Sequence, residues 1–205
     1  MTQSIDFYFD FSSPYGYFGS LFVDTLGVET CWRPYLMGAA MKETGLPPLV
    51  EVPYKRDYAL LDIKRMARLY EVDFSFPDYF PFMSVKLCRA FYAIEAAQGQ
   101  CAAKAFAAKV MAAVWGKGPD MTETSAILGF SQWAGLETAM VQQSVKDRLR
   151  AETEAAMKRG CWGSPHFFLN EGSLNESSLN EDQRSEHFWG CDKRWQIQQW
   201  LERPW

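Results

Sequence analysis

The chain has 205 residues, 48% of them hydrophobic, a length and composition that build a sizeable core and exclude disorder over the whole sequence. A formal net charge of −4 argues against the basic, Lys- and Arg-clustered surface of a nucleic-acid-binding domain. No stretch approaches the ~20 apolar residues that span a bilayer, because the most apolar helical run, residues 102–115, carries Lys104 and Lys109.

Residues 5–11 set Ile5, Phe7, Tyr8, Phe9 and Phe11 around Asp6 and Asp10, which reads as a largely buried strand. Ser12-Ser13-Pro14 ends it and opens a helix expected over residues 14–26, closed by Gly27. Residues 28–35 alternate as a second strand, and residues 36–54, rich in Gly and Pro, read as loop or short helix. A long helical block follows. Tyr58, Leu61, Met66 and Leu69 suit the apolar stripe of one helix, Val85, Cys88, Phe91 and Tyr92 a second, and Phe106, Val110 and Val114 a third. Thr122 and Ser144 are the expected N-caps of later helices, with Gly160 as a stop.

After Gly160 come a tight turn, Cys161-Trp-Gly-Ser-Pro165, a strand over residues 166–169, another near residues 187–189 and a final helix. The order is strand, helix, strand, helical block, strand, strand, helix: an α/β frame with helices inserted. Leu169-Asn-Glu, Leu174-Asn-Glu and Leu179-Asn-Glu repeat every five residues between the last two strands, where residues 170–186 read as a long mobile hairpin loop.

Residues 1–10 lack the pattern of an export signal. Cys31, Cys88, Cys101, Cys161 and Cys191 are odd in number with no C-x-x-C pair, so free thiols in a reducing compartment are expected and the location reads as cytoplasmic. His166 and His187 have no partner at zinc-ligand spacing, so no metal site is expected.

A strand that delivers Ser-Ser-Pro to the first turn of a helix sets a hydroxyl beside unpaired backbone N–H groups, an anion site in chemical terms, although a plain N-cap has the same sequence. Gly163-Ser164-Pro165 adds a second feature. An X-Pro bond that ends a turn and enters a strand can be cis, leaving the preceding residue's backbone to an extended peptide alongside.

Residues 7–15 (Phe-Tyr-Phe-Asp-Phe-Ser-Ser-Pro-Tyr), Lys55 with Tyr58 and Asp62, Gly163-Ser-Pro165, and residues 188–194 (Phe-Trp-Gly-Cys-Asp-Lys-Arg) together resemble 2-hydroxychromene-2-carboxylate isomerases and kappa-class glutathione transferases. The resemblance implies a thioredoxin-like domain (residues 1–37 and 145–205) interrupted by an all-helical domain (residues 38–144), usually a homodimer, with glutathione as cofactor. It implies Ser13 opposite the glutathione sulfur, where a redox relative carries its attacking cysteine. It further implies Ser164 and Pro165 beside the cysteinyl backbone, Cys191 and Asp192 at the γ-glutamyl amine, and Lys55 near the glycyl carboxylate, with Arg56 as an alternative to Lys55. Leu46, after Lys42-Glu-Thr-Gly45, departs from the asparagine common in these families.

The implied chemistry is a thiolate, stabilised by Ser13, that adds to an aromatic-derived substrate, with isomerisation first and transfer second. Phe80, Phe82 and Met83 are candidates for lining its pocket. Dithiol exchange needs two cysteines, and Ser13-Pro-Tyr-Gly16 has neither. A noncatalytic glutathione- or peptide-binding module remains an alternative on fold alone.

Overall fold

The computed structural model describes residues 3–171 and 186–205. Two parallel strands, β1 (Gln3–Phe9) and β2 (Glu29–Pro34), flank the short helix α1 (Pro14–Ser20). Helices α2 (Met37–Thr44), α3 (Lys55–Leu69), α4 (Val85–Gln98), α5 (Gln100–Trp115), α6 (Thr124–Gly129) and α7 (Leu136–Ala139) follow. The chain then forms α8 (Gln143–Lys158), β3 (His166–Glu171), β4 (Glu186–Trp189) and α9 (Arg194–Glu202). The sheet order is β2-β1-β3-β4, with β3 antiparallel to both β1 and β4. Among the described residues, no helix is long and apolar enough to cross a membrane.

Side-chain alternation gives the sheet two faces of different chemistry. Ile5, Phe7, Phe9, Trp32, Phe167 and Leu169 point into the main core, which α1, α4, α5 and α9 cover. Phe7 lies between Trp32 and Phe167 in the strand register and meets both rings at 5.2 Å. The other face pairs a small apolar cluster, Tyr8, Tyr35, Ala40, Ala156, Cys161 and Phe168, with a buried ionic network. There Asp6 bonds Arg33 Nε at 2.7 Å and Arg159 Nη1 at 2.6 Å, and Glu152 accepts from Tyr8 and Arg33.

Four expectations are corrected. The first helix stops at Ser20, and residues 23–25 form a separate 3-10 turn; Ser20 Oγ donates to the Tyr17 carbonyl, a local bond that competes with helix continuation. On α3 the buried face is Ala59, Ile63, Met66 and Ala67, whereas Tyr58, Leu61 and Leu69 point outward. Its true stripe runs through two alanines, which carry little hydrophobic signal. Neither expected cap forms: Thr122 bonds Asp120 ahead of α6, and Ser144 lies inside the first turn of α8. Of the three pocket candidates, Phe80 reaches the groove described below, Phe82 packs on Tyr79 and Trp115, and Met83 is exposed.

The other expected strands, the stripes on α4 and α5, and the stop at Gly160 are present, the last with φ +86° just past α8. The first Leu-Asn-Glu copy, residues 169–171, ends β3, so the mobile loop expected over residues 170–186 is also corrected at both ends, where residues 170–171 belong to β3 and Glu186 to β4; residues 172–185, with the two later copies, lie outside the described residues.

Candidate functional site

The turn between β1 and α1 is built by a carboxylate. Asp10 Oδ1 accepts from the Ser12 N–H at 2.9 Å and from the Ser12 hydroxyl at 2.8 Å, an Asx-type closure, and Oδ2 accepts from the Met37 N–H at the start of α2. Ser13 follows as the N-cap of α1, its Oγ accepting from the Gly16 N–H at 3.1 Å.

The peptide bond between Ser164 and Pro165 is cis, as the turn sequence suggests. This loop docks directly on the head of α1. Ser13 Oγ donates to the Ser164 carbonyl at 3.0 Å, and the Asp10 N–H donates to Ser164 Oγ at 2.9 Å. Two glycines allow the approach. A Cβ on Gly16 would lie 2.7 Å from Ser164 Oγ, and one on Gly19 would lie 2.9 Å from the Pro165 ring.

Ser13 and Ser164 face a groove of about 300 Å³. Met37 and Met41 of α2, Ala59 and Ile63 of α3, and the segment from Leu46 to Val52 supply most of its apolar lining. Lys55, at the first turn of α3, is the one charged side chain lining it among the described residues. Arg56 instead points to Asp57 at 3.5 Å and does not line the groove.

Cys191 and Asp192 lie in a 3-10 turn outside the groove lining, tied to the loop by the Gly190 N–H donating to the Pro165 carbonyl at 3.1 Å. Cys191 is buried, and burial, together with Asp192 and Asp62, pushes its thiol up to about 12. The Asp192 carboxylate is exposed and accepts from Lys193 Nζ at 2.8 Å. Tyr15 lines the groove and donates its hydroxyl to Asp62 on α3 at 3.1 Å; burial and Asp62 raise its pKa, so it stays a phenol.

Behind the loop, His166 is fully buried, stacked on Phe168, with Nε2 2.8 Å from His187 Nδ1. Its Nδ1 has no hydrogen-bond partner among the described residues, and a buried bare lone pair costs less than a buried unpaired N–H. The proton therefore belongs on His166 Nε2. Burial, His187 and Arg159 hold the imidazole down to about 3.

In the unfolded chain a histidine takes its proton near ~6.5. Between that pH and about 3, unfolding therefore takes up a proton that the fold refuses, and this stability, complete above the window, falls with pH by up to about 1.4 kcal/mol per unit. Urea midpoints should be lower at about pH 5 than at about pH 7.5, and His166→Phe should flatten the difference. Equal wild-type midpoints would refute the neutral-imidazole assignment.

Residues 4–201 match the DSBA-like thioredoxin domain. The chain belongs to that family. Within the DSBA-like thioredoxin family it is 29% identical over 204 residues to a 2-hydroxychromene-2-carboxylate isomerase of Sphingobium xenophagum, covering 94% of this chain and 95% of the relative. It is 29% identical over 178 residues to glutathione S-transferase kappa 1 of Rattus norvegicus, covering 78% of each. A solved structure of 2-hydroxychromene-2-carboxylate isomerase superposes with a TM-score of 0.77 at 24% identity, over 98% of this chain and 95% of that one, which establishes the shared fold.

Of the residues the sequence singles out, Ser13, Ser164 and Lys55 line one groove, Pro165 sits behind it next to Ser164, and Cys191 and Asp192 lie outside the lining. Sequence reasoning assigned no site role to Asp10, Tyr15, residues 47–52 or the tryptophans of the groove, while Leu46, noted for replacing an asparagine, lines it. Asp10 had a usable signal, an aspartate two residues before a serine at a strand end. Tyr15 and Trp162 are chain neighbours of Ser13 and Ser164, whereas residues 47–52 and Trp189 join the site through tertiary contact.

Proposed function

We propose that the protein is a glutathione-dependent isomerase of the 2-hydroxychromene-2-carboxylate kind, acting on an aromatic-derived substrate in the groove. The observation that carries this reading is the bond from Ser13 Oγ to the Ser164 carbonyl, which joins the head of α1 and the Pro165 loop at one end of an otherwise apolar groove. Bound glutathione would supply a thiolate that adds to an electrophilic carbon and leaves again once the former double bond has rotated.

The residues present fit that group. Ser13 already accepts from Gly16, so its single O–H remains to be donated, and the Ser164 carbonyl takes it in the structure described here. A ligand amide N–H donating to Ser164 O would replace Ser13 as partner and release the hydroxyl toward sulfur. One donor is exchanged for another, and no buried polar group is left unpaired. Lys55 would pair with a carboxylate of the tripeptide. Cys191 and Asp192 can meet the γ-glutamyl arm only where it runs past the groove's end, over the turn bonded to Pro165. Residues 38–144 act in this reading as an inserted helical unit that supplies the apolar lining, in a homodimeric cytoplasmic enzyme.

A kappa-like transferase is the second reading, favoured by the low charge of the groove, which suits a neutral electrophile. Calorimetric titration with glutathione, then assays with hydroxychromene carboxylates and with chlorodinitrobenzene, separates the readings. Saturable binding with isomerisation is expected. Conjugation alone would favour the transferase, binding without turnover a noncatalytic module, and no binding would remove all three.

A further inference from the structure

Two tryptophans stand in the groove and take no part in the chemistry above. Trp162, ahead of the Pro165 loop, and Trp189, the last residue of β4, meet with ring centroids 4.2 Å apart and planes tilted by 39°. Both line the groove, and they are 40% and 42% exposed, so two large rings in mutual contact each keep open surface in one cavity.

Gly163 makes this arrangement possible. A Cβ there would lie 2.3 Å from Trp189 Nε1, so the absence of a side chain lets the indole lie on the loop backbone. Leu46, Leu49, Val50 and Val52 add aliphatic lining to the same groove, and Tyr15 and Phe80 add two further rings. With Lys55 as its one charged side chain among the described residues, the groove away from Lys55 can recognise a ligand by shape and ring contact, and not by charge.

We propose that Trp162 and Trp189 form a stacking subsite for the planar aromatic part of the substrate, in the same groove as the Ser13 hydroxyl. Offset stacking on an indole supplies affinity without requiring a hydrogen bond. The subsite therefore selects flat ring systems over branched aliphatic electrophiles. The inference deepens the proposed function and rests on it for the reaction, while the ring contact stands on the geometry of the pair.

The test compares S-benzylglutathione with S-methylglutathione by calorimetry, in wild type and in Trp162→Leu, Trp189→Leu and the matching Phe variants. The benzyl thioether should bind more tightly in wild type. Each Leu variant should cut the benzyl-to-methyl affinity ratio by about three- to tenfold, the size of an aromatic pair contribution. The Phe variants should retain most of the ratio. Unchanged S-methylglutathione affinity shows that the Leu variants are folded.

An unchanged ratio in both Leu variants overturns the proposal. An equal loss for both thioethers assigns the pair to the tripeptide, and overturns it as well. If S-methylglutathione fails to bind wild type, the glutathione reading falls, and quenching of tryptophan fluorescence by 1-naphthol decides the subsite. Saturable quenching that Trp162→Leu and Trp189→Leu abolish sustains it; no saturable quenching overturns it.

Discussion

Ser13→Ala is expected to lower turnover by about 10²–10³-fold, the usual effect of deleting one hydrogen-bond donor aimed at a developing negative charge. The thiol of bound glutathione should titrate closer to its free value of ~8.5, read from ultraviolet thiolate absorbance against pH. Two controls separate this from loss of the helix cap. The cap bond from Gly16 is worth about 1 kcal/mol, so the variant should unfold at slightly lower denaturant and remain folded under assay conditions. Ser12→Ala removes a hydroxyl that bonds only Asp10 Oδ1 among the bonds described, and should cost far less activity. Normal turnover and an unmoved thiol titration in Ser13→Ala would take the hydroxyl out of the mechanism.

The largest stability effect is expected at Asp6, on the sheet face away from the main core. Its carboxylate bonds Arg33, Arg159 and the Asn170 amide, all within 3.0 Å. Burial alone would raise its pKa, yet Arg33 and Arg159 outweigh burial and hold it below the ordinary value of 3.8. Asp6→Ala removes the anion that Arg33 and Arg159 share, while Arg33 keeps Glu152 and Arg159 keeps Asn170. Breaking a buried pair costs about 3–5 kcal/mol, and about 3 is expected here because Arg33 and Arg159 keep 16% and 23% exposure.

The sign of the pH dependence follows from the lowered value. The contribution of Asp6 is complete above 3.8 and is lost as pH falls through the lower folded value, so the gap between wild type and Asp6→Ala should close in that range. Denaturant unfolding at neutral and at strongly acidic pH measures it. A gap that stays constant would mean that Asp6 acts by packing and not by charge.

What could be read from the sequence was whatever a short segment decides by itself. The first strand, expected over residues 5–11 and found over 3–9, the serine-proline step into α1 and the cis Ser164–Pro165 bond each depend on neighbours in the chain. The face of α3 is not legible because Tyr58, Leu61 and Leu69 are large and Ala59 and Ala67 are small, so weight of apolar surface and direction of burial disagree. The ionic network joins residues 6, 33, 152, 159 and 170, which no local pattern connects. The groove is similar: Met37, Leu46, Lys55, Trp162 and Trp189 come together only after the sheet has ordered β3 between β1 and β4.

The tight seat of Gly16 carries a consequence for the chemistry open to this scaffold. A dithiol enzyme of this fold would need its second sulfur three positions after the first, and that position here is Gly16. Besides meeting Ser164 Oγ at 2.7 Å, any side chain there meets the Asp10 carbonyl at 3.1 Å, and the backbone oxygen cannot rotate aside. Installing a cysteine pair would push Ser164 Oγ off the Asp10 N–H and press on the Asp10 carbonyl, so it is more than an exchange of two residues. The same atoms that present a hydroxyl to the groove thus disfavour a second sulfur at the position dithiol exchange requires.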